Sequence, residues 1–452
     1  MSGFGVSLLA FLVAIAILVA FHEFGHYWVA RRLGVKVLRY SIGFGKPLYT
    51  RIAGPDRTEY CISAIPLGGY VKMLDEREGP VPEGERHRAF NRQSLRVRTA
   101  IVIAGPAFNF LFALAVYWLI AVVGTTEIRP MVGEVIPDTA ADRAGLESGD
   151  EFVAVAGRDT YSWQQVLMAL LDRGVRGSGE VDVTVVGEDG RERQLSLQLD
   201  RRALLGEDPD MLRLIGFEPW QPRLESRVGQ LIDGGAAEEA GLRGGDLILA
   251  VDGASVAEWT ALVAVLREHA GETVMLSAER DGARIEREVR LHGADSQRGV
   301  LGIRPDVPEG LYEDMQQTVR YGPIASVGEA GRDTWQASVL TVQVLWRMVT
   351  GEASLRNLSG PINIAQYAGD TASSGVVPFL KFLAIVSISL GIINLLPIPI
   401  LDGGHLMYFL VEAVRGRPPS ERALLIGQQV GIVLLLMIMS LAFYNDLARL
   451  TG

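Results

Sequence analysis

Four stretches of the chain stay apolar for longer than a soluble helix ordinarily does. Residues 6–21 hold no charged residue and only Ser7 as a strongly polar one, and apolar character resumes over 27–30. Residues 99–124 are uncharged, with Asn109 as their main polar interruption. Residues 376–401 carry only Lys381 near the start and Asn394 near the end, and 423–444 are uncharged with Gln428 and Gln429 in their first third. A helix needs about 20 residues to cross a hydrocarbon core, so the pattern predicts four transmembrane helices. The first run lacks a positive n-region and a small-x-small cleavage site before Arg31 and Arg32, so it reads as a retained anchor.

Between the second and third spans the pattern changes to short alternating strands, such as 181–186, and helix-like stretches. A structureless loop of that length is improbable in a compact protein. The stretch contains a repeat offset by 96 residues: 141–157 read ADRAGLESGDEFVAVAG and 237–253 read AEEAGLRGGDLILAVDG, identical at nine of 17 positions. Each unit closes on a second echo, Leu214-Ile215-Gly216-Phe217-Glu218-Pro219 and Val300-Leu301-Gly302-Ile303-Arg304-Pro305. Gly149 and Gly245 read as turn residues.

Composition sharpens the picture. The 452 residues are 48% hydrophobic and 21% charged, which excludes a disordered chain. Cys61 is the only cysteine, which excludes a disulfide scaffold, and a net charge of −10 argues against nucleic acid as a partner. The charge is unevenly placed. Residues 31–98 carry 14 Lys/Arg against 7 Asp/Glu, whereas 125–374 carry 24 Arg against 41 Asp/Glu. Arg415, Arg417 and Arg422 follow the third span. The positive-inside rule then puts 31–98 and 402–422 in the cytoplasm, with both termini and the acidic repeat segment outside.

Chemistry concentrates in His22-Glu23-Phe24-Gly25-His26, an H-E-x-x-H motif. Residues four apart share a helix face, so both imidazoles can reach one metal ion while Glu23 holds a water beside it. An ionisable residue within a membrane helix is costly and is seldom kept without a role. Catalytic zinc takes three protein ligands, and Asp402, His405 and Glu412 are the options for the third. Asp402 follows Asn394-Leu395-Leu396-Pro397-Ile398-Pro399-Ile400-Leu401, where two prolines prevent a regular helix and let the backbone aim a carboxylate inward.

The H-E-F-G-H in the first span, the late N-x-x-P-x-P-x-L-D-G-G-H and the repeat between them resemble the site-2 intramembrane zinc metalloproteases, in the bacterial regulator of sigma-E protease branch. The resemblance covers essentially the whole chain. It implies one Zn2+ held by His22, His26 and Asp402, with Glu23 as general base. It also implies that Asn394 binds or orients substrate, that Pro397 and Pro399 shape that segment, and that His405 is not a ligand. The repeats resemble tandem circularly permuted PDZ domains, whose apolar-Gly-apolar loops, here Gly216-Phe217 and Gly302-Ile303, offer N–H groups to a peptide carboxylate. The alternating stretch 35–73 around Gly43-Phe44-Gly45 resembles a membrane-associated β-hairpin or sheet whose edge receives substrate as an added strand. In the second span Gly105-Pro106 is a helix breaker whose glycine reads as a close helix-packing residue, Asn109 is an active-site or substrate neighbour, and Ser359-Gly360-Pro361 marks an interfacial turn.

The expected architecture is a multi-domain membrane protein with a four-helix transmembrane metalloprotease core and two circularly permuted PDZ domains of β-rich α+β type. Residues 1–126 hold the first two spans and the β region, 127–220 and 221–308 the two PDZ domains, 309–374 an interfacial helical linker, and 375–452 the last two spans. The expected activity is hydrolysis of a peptide bond within the transmembrane segment of single-span proteins with a cytoplasmic N-terminus, such as an anti-sigma factor or remnant signal peptides. The PDZ domains would filter pre-trimmed substrates. The expected location is the bacterial inner membrane, in contact with lipid, with the PDZ domains extracytoplasmic and the active site toward the cytoplasm. A non-enzymatic PDZ scaffold leaves the H-E-x-x-H unexplained. A metal transporter would expect acidic or His residues in several spans, and the second and fourth apolar runs have none.

Overall fold

The computed structural model describes residues 2–176, 179–199, 211–293, 300–308, 310–313, 315–351 and 360–451. It divides into two compact units, Met1–Thr125 with Arg320–Gly452, and Thr126–Val319.

Helix α1 (Ser2–Arg32) runs without interruption through the first apolar stretch and the H-E-x-x-H, and ends on Arg31 and Arg32, where cations favour the helix C-terminus. Strands β1 (Val37–Ala53) and β2 (Thr58–Met73) follow. They form more than a simple hairpin. Residues 39–42 pair on one side with 59–62 in rising register and on the other with 69–72 in reverse, while 47–53 fold back along 58–63. The bend is made at Gly43 and Gly45, whose φ of +92° and +85° are strained for any residue with a Cβ. Tyr40 Oη donates to the Ala20 carbonyl at 2.8 Å, tying the sheet to α1. Burial holds the Tyr40 phenol above its ordinary value, with Glu23 the next cause, so it stays a donor.

Helix α2 (Leu95–Val123) starts at an Ser94 cap and continues through Pro106 rather than breaking there. Other helices press on both sides of that point, which is where a membrane helix tolerates proline. A Cβ on Gly25 would lie 2.3 Å from the Ala104 carbonyl oxygen, so α1 and α2 meet backbone to backbone.

The second unit begins with β3 (Thr125–Ile128) and contains two equivalent halves. The first runs β4 (Val132–Val135), α3 (Ala140–Ala144), β5 (Glu151–Val155), β6 (Arg158–Asp159), α4 (Trp163–Arg176), β7 (Glu180–Val186), β8 (Glu192–Gln198), α5 (Met211–Ile215) and β9 (Phe217–Pro219). The second runs β10 (Val228–Leu231), α6 (Ala236–Glu239), β11 (Leu247–Val251), β12 (Ala254–Ser255), α7 (Trp259–Glu268), β13 (Thr273–Arg280), β14 (Ala283–Arg290) and β15 (Ile303–Pro305). Their sheets have matching orders, β6-β5-β7-β8 and β12-β11-β13-β14, and β4 pairs with β9 as β10 does with β15. The 96-residue repeat is therefore a repeat of structure. Its Ala-Gly-Leu signature ends α3 and α6. Gly145 and Gly241 take φ of +79° and +73°, and Leu146 and Leu242 seat in separate cores around Phe152 and Ile248.

After β16 (Gln316–Val319), which pairs with β3, the chain returns to the first unit as α8 (Ala325–Thr350), α9 (Pro361–Ser374), α10 (Val376–Leu395), α11 (Asp402–Arg415) and α12 (Glu421–Thr451). Among the described residues, helices α1, α2, α10 and α12 are the four long and apolar enough to span a membrane. The third span ends at Leu395, earlier than hydropathy alone suggests, because Pro397 and Pro399 cannot continue it. The expected turn at 359–361 has Ser359 outside the described residues. Gly360 and Pro361 open α9, where Asp446 of α12, 2% exposed, accepts the N–H groups of Gly360, Ile362 and Asn363 at 2.9, 2.9 and 3.2 Å.

Candidate active site

His22 and His26 sit one turn apart on α1, both 9% exposed, and face α2. Opposite them lies Gly105. A Cβ there would stand 2.2 Å from His26 Nε2 and 2.8 Å from His22 Cε1, so the missing side chain makes the room. One turn before, the Ile101 carbonyl accepts a hydrogen bond from His26 Nδ1 at 2.8 Å, which leaves the Nε2 lone pair free. One turn after, the Asn109 side chain lies 3.1 Å from His22 Nδ1.

Asp402 arrives from the irregular segment between α10 and α11. Ile400 holds φ at +113°, costly for a β-branched residue, and any Cβ on Gly403 or Gly404 would lie 2.1 Å from the Leu396 oxygen or 2.5 Å from that of Ile398. This tight bend delivers Asp402 as the first residue of α11. Asp402 Oδ2 stands 3.2 Å from His22 Nε2 and 3.4 Å from His26 Nε2, and the two Nε2 atoms are 3.3 Å apart. A tetrahedral ion with ligands at about 2.0–2.1 Å has edges of about 3.3–3.4 Å. The three atoms thus outline one face of a zinc tetrahedron, and among the described residues the buried Asp402 Oδ2 has no neighbour to bond to beyond the two histidines. Two imidazoles and a carboxylate with a fourth corner left over suit Zn2+.

The other options for a third ligand fall away. Glu412 is engaged by Arg98 of α2, with Nη2–Oε1 at 2.5 Å and Nη1–Oε2 at 3.1 Å, and Arg98 lies over the Phe409 ring. His405 is exposed and outside the trio.

Glu23, 8% exposed, packs against β2: a Cβ on Gly69 would lie 2.8 Å from Glu23 Cγ. The sheet therefore abuts the residue after the first histidine. Phe44 stacks on Tyr70 at 6.2 Å and covers Gly68, while Gly43 and Gly45 supply the bend around it. Asn394 is half-buried in the last turn of α10, Pro397 is exposed beyond it, and Pro399 packs toward Gly431 of α12.

The repeat loops behave differently from a free carboxylate cradle. Gly216 N–H is already donated to the Leu212 carbonyl at 2.9 Å, and its own carbonyl takes Ile136 N–H at 2.8 Å. Phe217 is fully buried against Phe152 and Trp163. Gly302 backs onto Gly235, its carbonyl accepting Ile232 N–H, and Ile303 packs on the second core. Sequence reasoning missed Gly105 and the Ile101 carbonyl as parts of the site. The signal was the four-residue spacing of 101, 105 and 109 along one helix face.

Residues 10–438 match peptidase family M50. The regulator of sigma-E protease RseP of Escherichia coli K12 is 42% identical over 448 residues, 98% of each chain. Protease RseP of Yersinia pestis is 42% identical over 451 residues, 98% of this chain and 99% of its own. A relative from Vibrio cholerae, 42% identical over 448 residues, carries zinc metalloprotease in its name. A Listeria monocytogenes PDZ domain aligns with 20% of this chain and 90% of its own at 20% identity and a TM-score of 0.15, a score that assigns no fold. With four membrane-length helices, an end-to-end match to these relatives and a ligand trio of zinc dimensions, the chain belongs to peptidase family M50 and is an intramembrane zinc metalloprotease.

Proposed function

We propose that His22, His26 and Asp402 hold one Zn2+ and that Glu23 moves the proton in hydrolysis of a peptide bond within a membrane-spanning substrate. The observation that carries this is the 3.2–3.4 Å triangle of Nε2, Nε2 and Oδ2 with a buried glutamate next to it in sequence. The zinc, when bound, supplies electrophilic polarisation of the scissile carbonyl and makes water acidic enough to attack near neutral pH. The Glu23 carboxylate takes the proton from the attacking water and hands it to the amide nitrogen as the C–N bond breaks. Packing of Glu23 against Gly69 restricts where that carboxylate can reach, and the closely packed α1 and α2 limit water around it.

Substrates on this reading are single-span proteins with a cytoplasmic N-terminus, including an anti-sigma factor in envelope stress signalling and remnant signal peptides. The exposed edge of the β sheet, with Leu48, Tyr49 and Ile52 outward, suits a membrane-facing surface that takes a substrate as a strand. The two repeats act as PDZ-like filters on the outer side of the inner membrane, and the positive 31–98 segment lies in the cytoplasm. Because Gly216 N–H is engaged internally, the first repeat excludes bulky substrates rather than binding their C-termini.

Full-length Glu23→Gln, purified in detergent, is expected to keep one zinc and lose cleavage of a single-span substrate by about 10²–10⁴-fold. Wild-type turnover in that variant would end the assignment. Asp402→Asn or His26→Ala with unchanged zinc content would end the ligand set.

A further inference from the structure

We propose that Asn109 is a positioning residue that fixes His22 as a zinc ligand by accepting its Nδ1 proton on the amide oxygen. The inference rests on the reading of His22 as a ligand through Nε2.

Asn109 is fully buried, and its Nδ2 stands 3.1 Å from His22 Nδ1 while, among the described residues, no donor faces its Oδ1. A neutral imidazole that ligates through Nε2 carries its proton on Nδ1, so Nδ2 and Nδ1 would be two donors pointed at each other. The amide is nearly symmetric in shape. A half-turn about its last torsion puts Oδ1 against Nδ1–H and so replaces the facing pair of donors with one hydrogen bond. A buried amide left unmatched costs about 1–3 kcal/mol, so this orientation is the one the loaded site selects.

The backbone of Asn109 is held independently. Ser387 Oγ, on α10, donates to the Asn109 carbonyl at 2.9 Å, and a Cβ on Gly391 would touch Asn109 Cβ at 3.4 Å. Helix α2 thereby presents three consecutive turns to α1: the Ile101 carbonyl for His26 Nδ1, empty space at Gly105, and the Asn109 amide for His22 Nδ1. Both imidazoles then carry their protons on the α2 side and turn both lone pairs toward Asp402 Oδ2. Partners of this kind fix tautomer and ring orientation, and their removal typically weakens metal affinity about 10–100-fold.

The test compares wild type, Asn109→Leu, Asn109→Asp and His22→Ala as full-length proteins in detergent. Zinc affinity is read by competition with a chromogenic chelator, and ligand geometry by the visible spectrum of the Co2+ form. Asn109→Leu keeps the volume and loses the acceptor, so its zinc Kd rises about 10–100-fold and its Co2+ bands shift. Asn109→Asp keeps an acceptor and stays within about threefold of wild type, a rescue that a purely space-filling role would not produce. Wild-type affinity in Asn109→Leu, or equal losses in Leu and Asp, overturns the proposal. If Asn109→Leu does not fold, Asn109→Ala against Asn109→Asp carries the same comparison. Loss of zinc in His22→Ala with affinity intact in Asn109→Leu sinks this inference alone, whereas zinc retained in His22→Ala sinks the ligand reading beneath it.

Discussion

Buried charge is used in opposite ways by the two units. In the repeat unit, Asp150 and Asp246 occupy the same position 96 residues apart, each 1% exposed and each fully answered from within its own half. Asp150 accepts the Glu147 N–H and Arg193; Asp246 accepts the Arg243 N–H and both arms of Arg280. The two arginines come from different strands, β8 and β13, so the aspartate belongs to the repeat and its partner does not. In the membrane unit, Asp402 Oδ2 is buried and, among the described residues, faces only the Nε2 atoms of His22 and His26. In Asp150 and Asp246 the closed set of hydrogen bonds marks a structural group, and in Asp402 the open one fits a place kept for a metal ion.

The contrast breaks most severely at Gly105. Gly105→Ala is expected to push the histidines apart and weaken zinc binding by at least about tenfold with matching loss of cleavage, read by metal analysis and substrate turnover. Gly328→Ala, whose Cβ meets nothing within 4 Å, should leave both unchanged and gain up to about 1 kcal/mol of helix stability. Next in size, Asp246→Ala leaves the Arg243 N–H and Arg280 without their acceptor and should cost about 1–3 kcal/mol in thermal or denaturant unfolding while zinc content stays at wild type. A loss of zinc there would erase the distinction between the units. Asp446→Asn removes the charge from the α9 cap and should cost about 1 kcal/mol, seen as faster amide exchange at residues 361–363.

The smallest effect is a pH dependence. Burial pushes the Asp246 carboxyl up, but the Arg280 hydrogen bonds and the Arg243 N–H outweigh it and hold the group below the usual carboxylate range. The unfolded chain therefore binds this proton at higher pH than the folded one. The contribution is complete above about pH 4 and is lost as pH falls through the lower folded value. Unfolding midpoints of the repeat unit should drop on acidification below about pH 4, and Asp246→Asn should flatten that slope.

Much of this was legible in the chain. Hydropathy marks the spans, and the 96-residue echo anticipates two equivalent sheets, because apolar patterning and turn glycines are local signals. The histidine pair was legible for the same reason: both lie on one helix turn apart. The choice of Asp402 over Glu412 was not a matter of local pattern. It depends on Arg98, 314 residues away, capturing Glu412. The depth of the four-segment sheet was hidden too, since 39–42 pair with two separate partners and no alternation records that. Gly105 looked like a packing glycine, and it is one, but what it packs against is the metal site.

The Asp446 cap has a practical side. Asp446, in the last helix, holds the opening turn of a helix whose cap residue, Gly360, lies 86 positions earlier, and that helix packs on the N-terminal span where Gly369 meets Ser7. The turn of α12 around Asp446 is thus part of the scaffold. A stop codon before 446 should loosen the first transmembrane helix from its neighbours and shorten the protein's life in the cell.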